Sequence, residues 1–547
     1  MGSPSELVAT LGREIVPIRF GAAPGHEPDI ATLGFKGYNL WRMARLGLPV
    51  PQAIVIGTGY CREYLANPHG LPAHLETALT AQLGSLELAT GLKFGSARKP
   101  LLVSVRSGAP VSMPGMMETV LNIGLTDSTM PGLLRLTGNP RLVWDSYRRL
   151  VQSFAEVVYS CSPAPFEEML RQHLRRADAE SARSLDFRAL QELARGALGI
   201  FESQTGRPFP QKPLDQLHAA IESVFASWNG NKAREYRRLN QIDAGTGTAV
   251  TVQRMVYGNA GGTSGSGVAF TRDPSTGAPA LYVDFLFNAQ GEDVVSGRQS
   301  AEDLDALAAL LPDSAEELSR VAQTLEREFR DMQEFEFTIQ DGRLFLLQTR
   351  TAKRTAWAAL RSAIDLVDEG LIDPSTALQR LCTLDLDLIE RSEVHAEAAP
   401  LARGVPAGLG VVTGKIALDA AAARRLKSAG HEVILVRDHP STDDIAAIAA
   451  ADGLLCASGG RTSHAAVVAR QLDKACVVGC SALAIDTARR RCSIGATALS
   501  EGEIVSVDAA SGEIYAGAVK VERIVPSDEL RKVDAWRAAA AATLPHD

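Results

Sequence analysis

In the stretch Gly459-Gly460-Arg461-Thr462-Ser463-His464-Ala465-Ala466-Val467-Val468-Ala469-Arg470, a histidine follows a glycine pair and precedes a small apolar run. Thr462 or Ser463 can cap a helix there, which puts His464 in its first turn, where backbone N–H groups have no partner inside the helix. That end favours an anion and disfavours imidazolium, by about 0.3–1 kcal/mol at exposed sites. The effect acts twice in one direction: it keeps the imidazole neutral and nucleophilic, then stabilises a phosphoryl group added to it. A lone histidine is more often structural, so it needs partners elsewhere in the chain.

Three other groups supply them. The glycine-rich run Tyr257-Gly258-Asn259-Ala260-Gly261-Gly262-Thr263-Ser264-Gly265-Ser266-Gly267 leaves one strand and enters another. As a hairpin it would bring backbone N–H groups close to nucleotide phosphates. Lys36 in GFKGYNL and Arg106 in VSVRSGAP are cations set among glycine, serine and strand residues, suited to clamping phosphate oxygens. In Phe335-Glu336-Phe337-Thr338-Ile339, turning through Asp341-Gly342 into Leu344-Phe345-Leu346-Leu347, alternation puts Glu334 and Glu336 on one face, with Gln348 and Arg350 on the returning strand. Oxygen donors of this kind suit Mg2+, and Arg350 suits a phosphoryl group in transfer.

The elements that must hold these residues follow from periodicity. Helical spacing over Gly37–Leu46, a strand at Ala53–Ile56 and a strand over Thr248–Tyr257 predict an α/β region, interrupted by helical spacing from about residue 140 to 240. Helices are predicted over residues 355–395. Beyond 400, strands at Gly410–Ile416, Val433–Val436, Gly453–Cys456 and Ile504–Asp508 alternate with Ala-rich helices, and an Ala-rich helix that fades out follows from Leu530.

Length and composition bound the rest. At 547 residues the chain needs several domains. A net charge of -8 and 5% aromatic residues argue against a nucleic-acid surface, and no apolar run is long enough for a membrane span. Seven scattered cysteines read as a reducing-compartment pattern, and Cys476 and Cys480 read as small core residues rather than a zinc pair. With an N-terminus that matches no targeting pattern, the expectation is a cytoplasmic protein.

Taken together, GFKGYNL, LLVSVRSGAPVSMPGMMETVLNIGL, WDSYRRL, TAVTVQRMVYGNAGGTSGSGVAFTRDPSTG, NAQGEDVVSG, RDMQEFEFTIQDGRLFLLQTR and GGRTSHAAVVAR resemble the pyruvate, phosphate dikinase family over nearly the whole chain. The resemblance implies a multidomain α/β and α+β protein. Its parts would be an ATP-grasp nucleotide-binding domain at 1–354 with a helical insert at about 126–240, a helical linker at 355–399, a swivelling α/β phosphohistidine domain at 400–520, and a C-terminal helical tail at 521–547. It implies ATP as substrate and Mg2+ as cofactor. Lys36 and Arg106 become phosphate contacts, Gly261, Gly262, Thr263, Ser264 and Gly265 the phosphate loop, Glu292 a nucleotide contact, Glu336 and Gln348 metal ligands, and Arg350 a γ-phosphate contact. His464 becomes the residue that takes the β-phosphate of ATP as AMP leaves, with Arg106 and Arg350 as its catalytic partners.

The sequence departs from the family pattern at several points. Arg461 stands where dikinases commonly have Met, Gly262 where the phosphate loop has an acid, Glu334 where Asp is usual, and Ala407-Gly408-Leu409-Gly410 where a Ser-Pro-Gly start is usual. Inorganic phosphate and water stay open as acceptors of the γ-phosphoryl group. The family continues into a TIM barrel that binds pyruvate and phosphoenolpyruvate, whereas this sequence ends at Asp547. The expected final acceptor is therefore a separate pyruvate- or phosphoenolpyruvate-binding protein, as in a split dikinase, or an unidentified small molecule; a homodimer is admitted. A non-catalytic phosphorylatable relay is the rival reading. Thr462 matches the position reversibly phosphorylated in the plant enzymes, besides being a candidate helix cap.

Overall fold

A computed structural model describes residues 14–21, 27–111, 113, 119–295, 301–395, 399–439 and 444–542. The chain divides into one unit of residues 1–261 with 345–349, and a second of residues 262–344 with 350–547.

The first unit is built on a five-stranded sheet. Its elements are β1 (Ile15–Ile18), α1 (Ile30–Arg45), β2 (Ala53–Ile56), β3 (Val103–Gly108), β4 (Thr119–Ile123), α2 (Pro140–Tyr159), α3 (Phe187–Thr205), α4 (Pro213–Ser227) and β5 (Ala249–Arg254). Strand order is β1-β2-β5-β3-β4 with every neighbour antiparallel. The helical region expected from about 140 to 240 holds α2, α3 and α4, and their apolar faces join the sheet in one core through Leu150, Phe154, Phe201 and Phe225. Asp145 of α2 is buried between Arg148 (2.9 Å) and Arg149 (2.8 Å), which satisfies a carboxylate that the helix turns inward.

In the second unit, β6 (Gly265–Phe270), β7 (Tyr282–Phe287), α5 (Pro312–Phe329) and β8 (Gln333–Gln340) form an antiparallel sheet with its covering helix, and β8 returns as β9 (Arg343–Thr351). The turn residues Asp341 and Gly342 both have positive φ (52° and 72°), the type I′ geometry that an Asp-Gly pair favours. Gly265 and Gly267 are glycines for a packing reason: a Cβ at either would lie 2.1 Å from the Phe285 ring or 2.5 Å from the Phe337 ring. The glycine-rich run does not form the expected hairpin. Strands β5 and β6 on its two sides belong to different sheets.

The chain continues through α6 (Ala356–Asp368), α7 (Pro374–Leu381) and β10 (Arg391–Val394) into an eight-stranded sheet. The middle of that sheet is β11 (Val411–Ala417), β12 (Val433–Arg437), β13 (Gly453–Cys456) and β14 (Ala475–Val478), paired parallel, with α8 (Ala420–Ser428) and α9 (His464–Gln471) as crossovers. Next to β11, β15 (Ile504–Asp508) runs antiparallel and is followed by β16 (Glu513–Ala516). The exit strand β17 (Val521–Ile524) pairs with the entry strand β10. The last helix, α10 (Ser527–Ala542), is the expected Ala-rich helix, whose end beyond 542 lies outside the described residues; Leu530, Val533 and Trp536 share a stripe that packs with α6 and α7, and Lys532 meets Asp368 at 2.6 Å. Arg272, buried at the end of β6, ties α6 to the sheet by pairing with Glu326, Asp365 and Glu369. No helix among the described residues is long and apolar enough to cross a membrane.

Candidate phosphohistidine and nucleotide sites

Within the first unit, glycine determines where the two candidate cations meet. Gly34 interrupts α1 at φ 66°, ψ 164°, and a Cβ there would stand 1.7 Å from the carbonyl oxygen of Gly108. Only glycine permits this approach. Phe35 N–H then donates to Ala109 O (2.9 Å), and Lys36 Cβ lies 3.5 Å from the Cβ position of Gly108. Arg106 is two residues earlier on β3, hence on that same face. It is half-buried, and its Nε is buried without a partner among the described residues. One helical turn after Lys36, Asn39 donates to Thr349 O (2.9 Å), which brings the segment carrying Gln348 to α1. Lys36, Arg106 and Gln348 are thus gathered by one helix.

In the second unit the sheet face itself is the site. Register pairs Glu336 with Val268 and Val268 with Asp284; two residues on, it pairs Glu334 with Phe270 and Phe270 with Tyr282. Period-two alternation puts all six side chains on one face. Arg350 is ion-paired with Glu334. Burial would lower the Arg350 pKa, but Glu334 and Glu336 together raise it, so its charge is secure. Glu336 is half-buried, and its side chain, besides its attraction to Arg350, makes no hydrogen bond or ion pair among the described residues. An anion left in that position fits a cation, and a carboxylate oxygen is the hard donor that Mg2+ takes. Beside this face, Asp341 N–H donates to Ser264 Oγ (3.0 Å) and Gly342 N–H to Thr263 O (2.9 Å), which fixes the glycine run to the hairpin tip. At Gly262 an added Cβ would meet only open space, so its backbone is accessible. Glu292 is exposed at the start of the short helix Gly291–Val295.

His464 is the first residue of α9, and Ser463 is its N-cap, accepting from Ala466 N–H at 3.4 Å. Of the two expected caps, Ser463 takes the role. Thr462 instead donates its backbone N–H to Asp284 Oδ2 at 2.8 Å. The Arg461 guanidinium lies 4.2 Å from the centroid of the Tyr282 ring, and that of Arg470 lies 5.8 Å from that of Phe270. Arg470 also donates through Nη2 to Arg461 O at 2.8 Å, so the helix holds its own leading loop. A Cβ on Gly460 would come within 2.9 Å of Asp284 Oδ2. The loop before the histidine therefore rests on the face that carries Glu334 and Glu336.

The electrostatics of this contact are set by burial. Burial pushes the Asp284 carboxyl up, against the pull of Thr462 and Arg470. It pushes Arg461 down to about 10, with Asp273 opposing, and lowers Arg470 as well. Both arginines stay charged at neutral pH. Two buried cations beside the start of α9 favour an incoming anion.

Of the residues singled out by sequence, Glu336, Arg350, Thr462 and the backbone of His464 lie in one unit, where Arg350 pairs with Glu334 and the Thr462 backbone with Asp284 of the same sheet face. Lys36, Arg106 and Gln348 are grouped in the other. Asp284, Tyr282 and Arg470 were missed. The signal was there: Asp284 is the lone acid in the apolar strand Tyr-Val-Asp-Phe-Leu-Phe, and Arg470 the lone charge in Ala-Ala-Val-Val-Ala-Arg.

Comparison with known proteins meets the same residues. A model described as pyruvate phosphate dikinase, AMP/ATP-binding domain, matches residues 69–305 and 299–370, and one described as PEP-utilising enzyme, mobile domain, matches residues 429–512. The pyruvate, phosphate dikinase of Clostridium symbiosum is 41% identical over 509 residues, covering 92% of this chain and 58% of the relative. That of Rhizobium meliloti (strain 1021) is 40% identical over 534 residues, covering 95% and 60%. The chloroplastic pyruvate, phosphate dikinase 1 of Arabidopsis thaliana is 40% identical over 520 residues, covering 94% and 54%. The chain thus spans between half and two thirds of the length of these relatives. Since the nucleotide-domain match alone takes in more than half of the chain, and the mobile-domain match contains His464, the chain belongs to the pyruvate, phosphate dikinase family.

Proposed function

We propose that this chain is an ATP-dependent phosphotransferase that carries the phosphoryl group on His464. The observation that carries this reading is the seating of the Arg461–Ser463 loop, on Tyr282 and Asp284, over the sheet face of Glu334 and Glu336. An imidazole nitrogen of His464 attacks the β-phosphorus of ATP, an N–P bond forms, and the bond from the β-phosphorus to the α,β-bridging oxygen breaks, so that AMP leaves with that oxygen. The γ-phosphoryl group passes to inorganic phosphate or to water. A phosphohistidine remains.

Each residue has a stated part. Lys36 and Arg106 neutralise phosphate charge, and Arg350, held by Glu334, is aimed at the γ-phosphate. The backbone of Gly261–Gly265 lines the phosphates, and Glu292 contacts the nucleoside. Glu336 and Gln348 hold Mg2+, which when bound offsets the charge of the phosphate oxygens. The positive end of α9 and the buried Arg461 and Arg470 favour the anionic phosphoryl group that His464 takes up. Residues 1–354, 355–399, 400–520 and 521–547 act as nucleotide, linker, carrier and tail modules, in the cytoplasm. Thr462 is a regulatory position in this scheme: its hydroxyl is buried while the loop is seated, so a phosphoryl group there would have to unseat the loop. The phosphohistidine then serves an acceptor beyond these residues, a pyruvate- or phosphoenolpyruvate-binding protein or domain.

The test is incubation with Mg2+ and ATP labelled at the β- or the γ-phosphate, with and without phosphate, followed by mass analysis of acid-labile label. The β-label is expected on His464, with His464→Ala losing both label and AMP formation while still binding nucleotide. If the β-label never reaches His464 under any of these conditions, the proposal fails.

A further inference from the structure

The loop before His464 touches the sheet at two points of different kinds. One is a backbone bond, Thr462 N–H to Asp284, which any residue at 462 except proline could make. The other depends on a side chain. Arg461 is the residue of this loop that lays a cation on an aromatic face, with its guanidinium carbon 4.2 Å from the Tyr282 centroid. Its Nε is buried without a hydrogen-bond partner among the described residues, and Asp273 attracts the guanidinium. The Tyr282 hydroxyl is likewise buried without a partner among them. The Arg461 side chain is thus desolvated against the ring, and a cation–π contact gains most where water is excluded.

The backbone around it is braced for this. Arg470 Nη2 holds the Arg461 carbonyl at 2.8 Å, and Gly460 lets the chain pass Asp284 at a distance that a Cβ would close. We propose that Arg461 is a positioning residue: its guanidinium, laid on Tyr282, holds the loop before His464 on the Glu334–Glu336 face and sets how often the histidine is presented there. Its catalytic consequence rests on the phosphohistidine reading, but the clamp itself does not.

Amide hydrogen exchange of the full chain reads the clamp directly, without nucleotide. Arg461→Met keeps a long unbranched side chain and removes the cation; it is expected to speed exchange of the Thr462 amide by about tenfold, and to slow label transfer from ATP to His464 by a similar factor. Arg461→Lys restores the charge without the planar stacking surface and should fall between the two. Tyr282→Leu should mimic Arg461→Met, and the double variant should be little worse than either. An unchanged Thr462 amide in Arg461→Met, or full multiplication of the two single effects, overturns the proposal. Should Arg461→Met not fold, Arg461→Lys and Tyr282→Leu decide, and unchanged exchange in both overturns it. Faster exchange in a chain whose parent never takes the β-label would leave the clamp standing and remove the phosphotransfer reading.

Discussion

Glu336 and Asp284 stand in one register row of the second unit's sheet, on either side of Val268. With strands about 4.8 Å apart, the carboxylate offered to a cation and the one that receives the histidine loop are roughly 10 Å from each other on one face. Two carboxylates of one sheet therefore serve different neighbours.

If that division holds, Glu336→Gln should raise the Mg2+ concentration needed for half-maximal labelling of His464 by at least about tenfold, since one charged oxygen ligand is lost. Asp284→Asn should slow labelling without moving that Mg2+ midpoint. Equal midpoints for Glu336→Gln and the parent would contradict the ligand role.

Gly34→Ala tests how the first unit places Lys36. The substitution forces a side chain into a glycine-only conformation, at a cost on the order of 1–3 kcal/mol, and sets a Cβ 1.7 Å from Gly108 O. Lower thermal stability with weakened ATP binding is expected. A variant that melts and binds like the parent would show that the kink in α1 is not what positions Lys36.

The Asp145 pair gives the acid limb of stability. Burial by itself would raise this carboxyl, but Arg149 and Arg148 overcome it and hold the pKa well below the unfolded value of 3.8. A depressed carboxylate contributes stability that is present above the unfolded pKa and is lost as pH falls toward the folded one. Acid unfolding should therefore steepen below about pH 4 in the parent and be shallower there in Asp145→Asn. Asp145→Ala, which leaves two arginines beside an empty site, should cost about 3–5 kcal/mol at neutral pH. Parallel acid limbs in parent and Asp145→Asn would refute the assignment.

Much of the local structure was legible in the residues. Alternation marked β5 and β8, short apolar runs marked β2, β12 and β13, the Asp-Gly pair marked the β8–β9 turn, and the serine before His464 marked the start of α9. These are short-range signals, set by a few neighbouring φ/ψ choices and by which face must be dry. The glycine run misled for the same reason: a turn and an inter-sheet crossing have the same composition, and the Phe285 and Phe337 rings that demand Gly265 and Gly267 come from distant strands. The tail was legible as a helix but not as a packed one, because the stripe of Leu530, Val533 and Trp536 has meaning only beside α6 and α7.

The sequence by itself determined the chemical inventory: a histidine at a helix start, phosphate-seeking cations, hard oxygen donors and the glycines that let backbone come close. Tertiary structure alone decided which of them meet. The registers Glu336–Val268–Asp284 and Glu334–Phe270–Tyr282 join residues dozens of positions apart, and Thr462 reaches Asp284 across 178. No local preference encodes such pairings. They arise because a buried carboxylate must find a donor and a buried guanidinium a π-face or an anion, and only the closed fold brings those partners within reach.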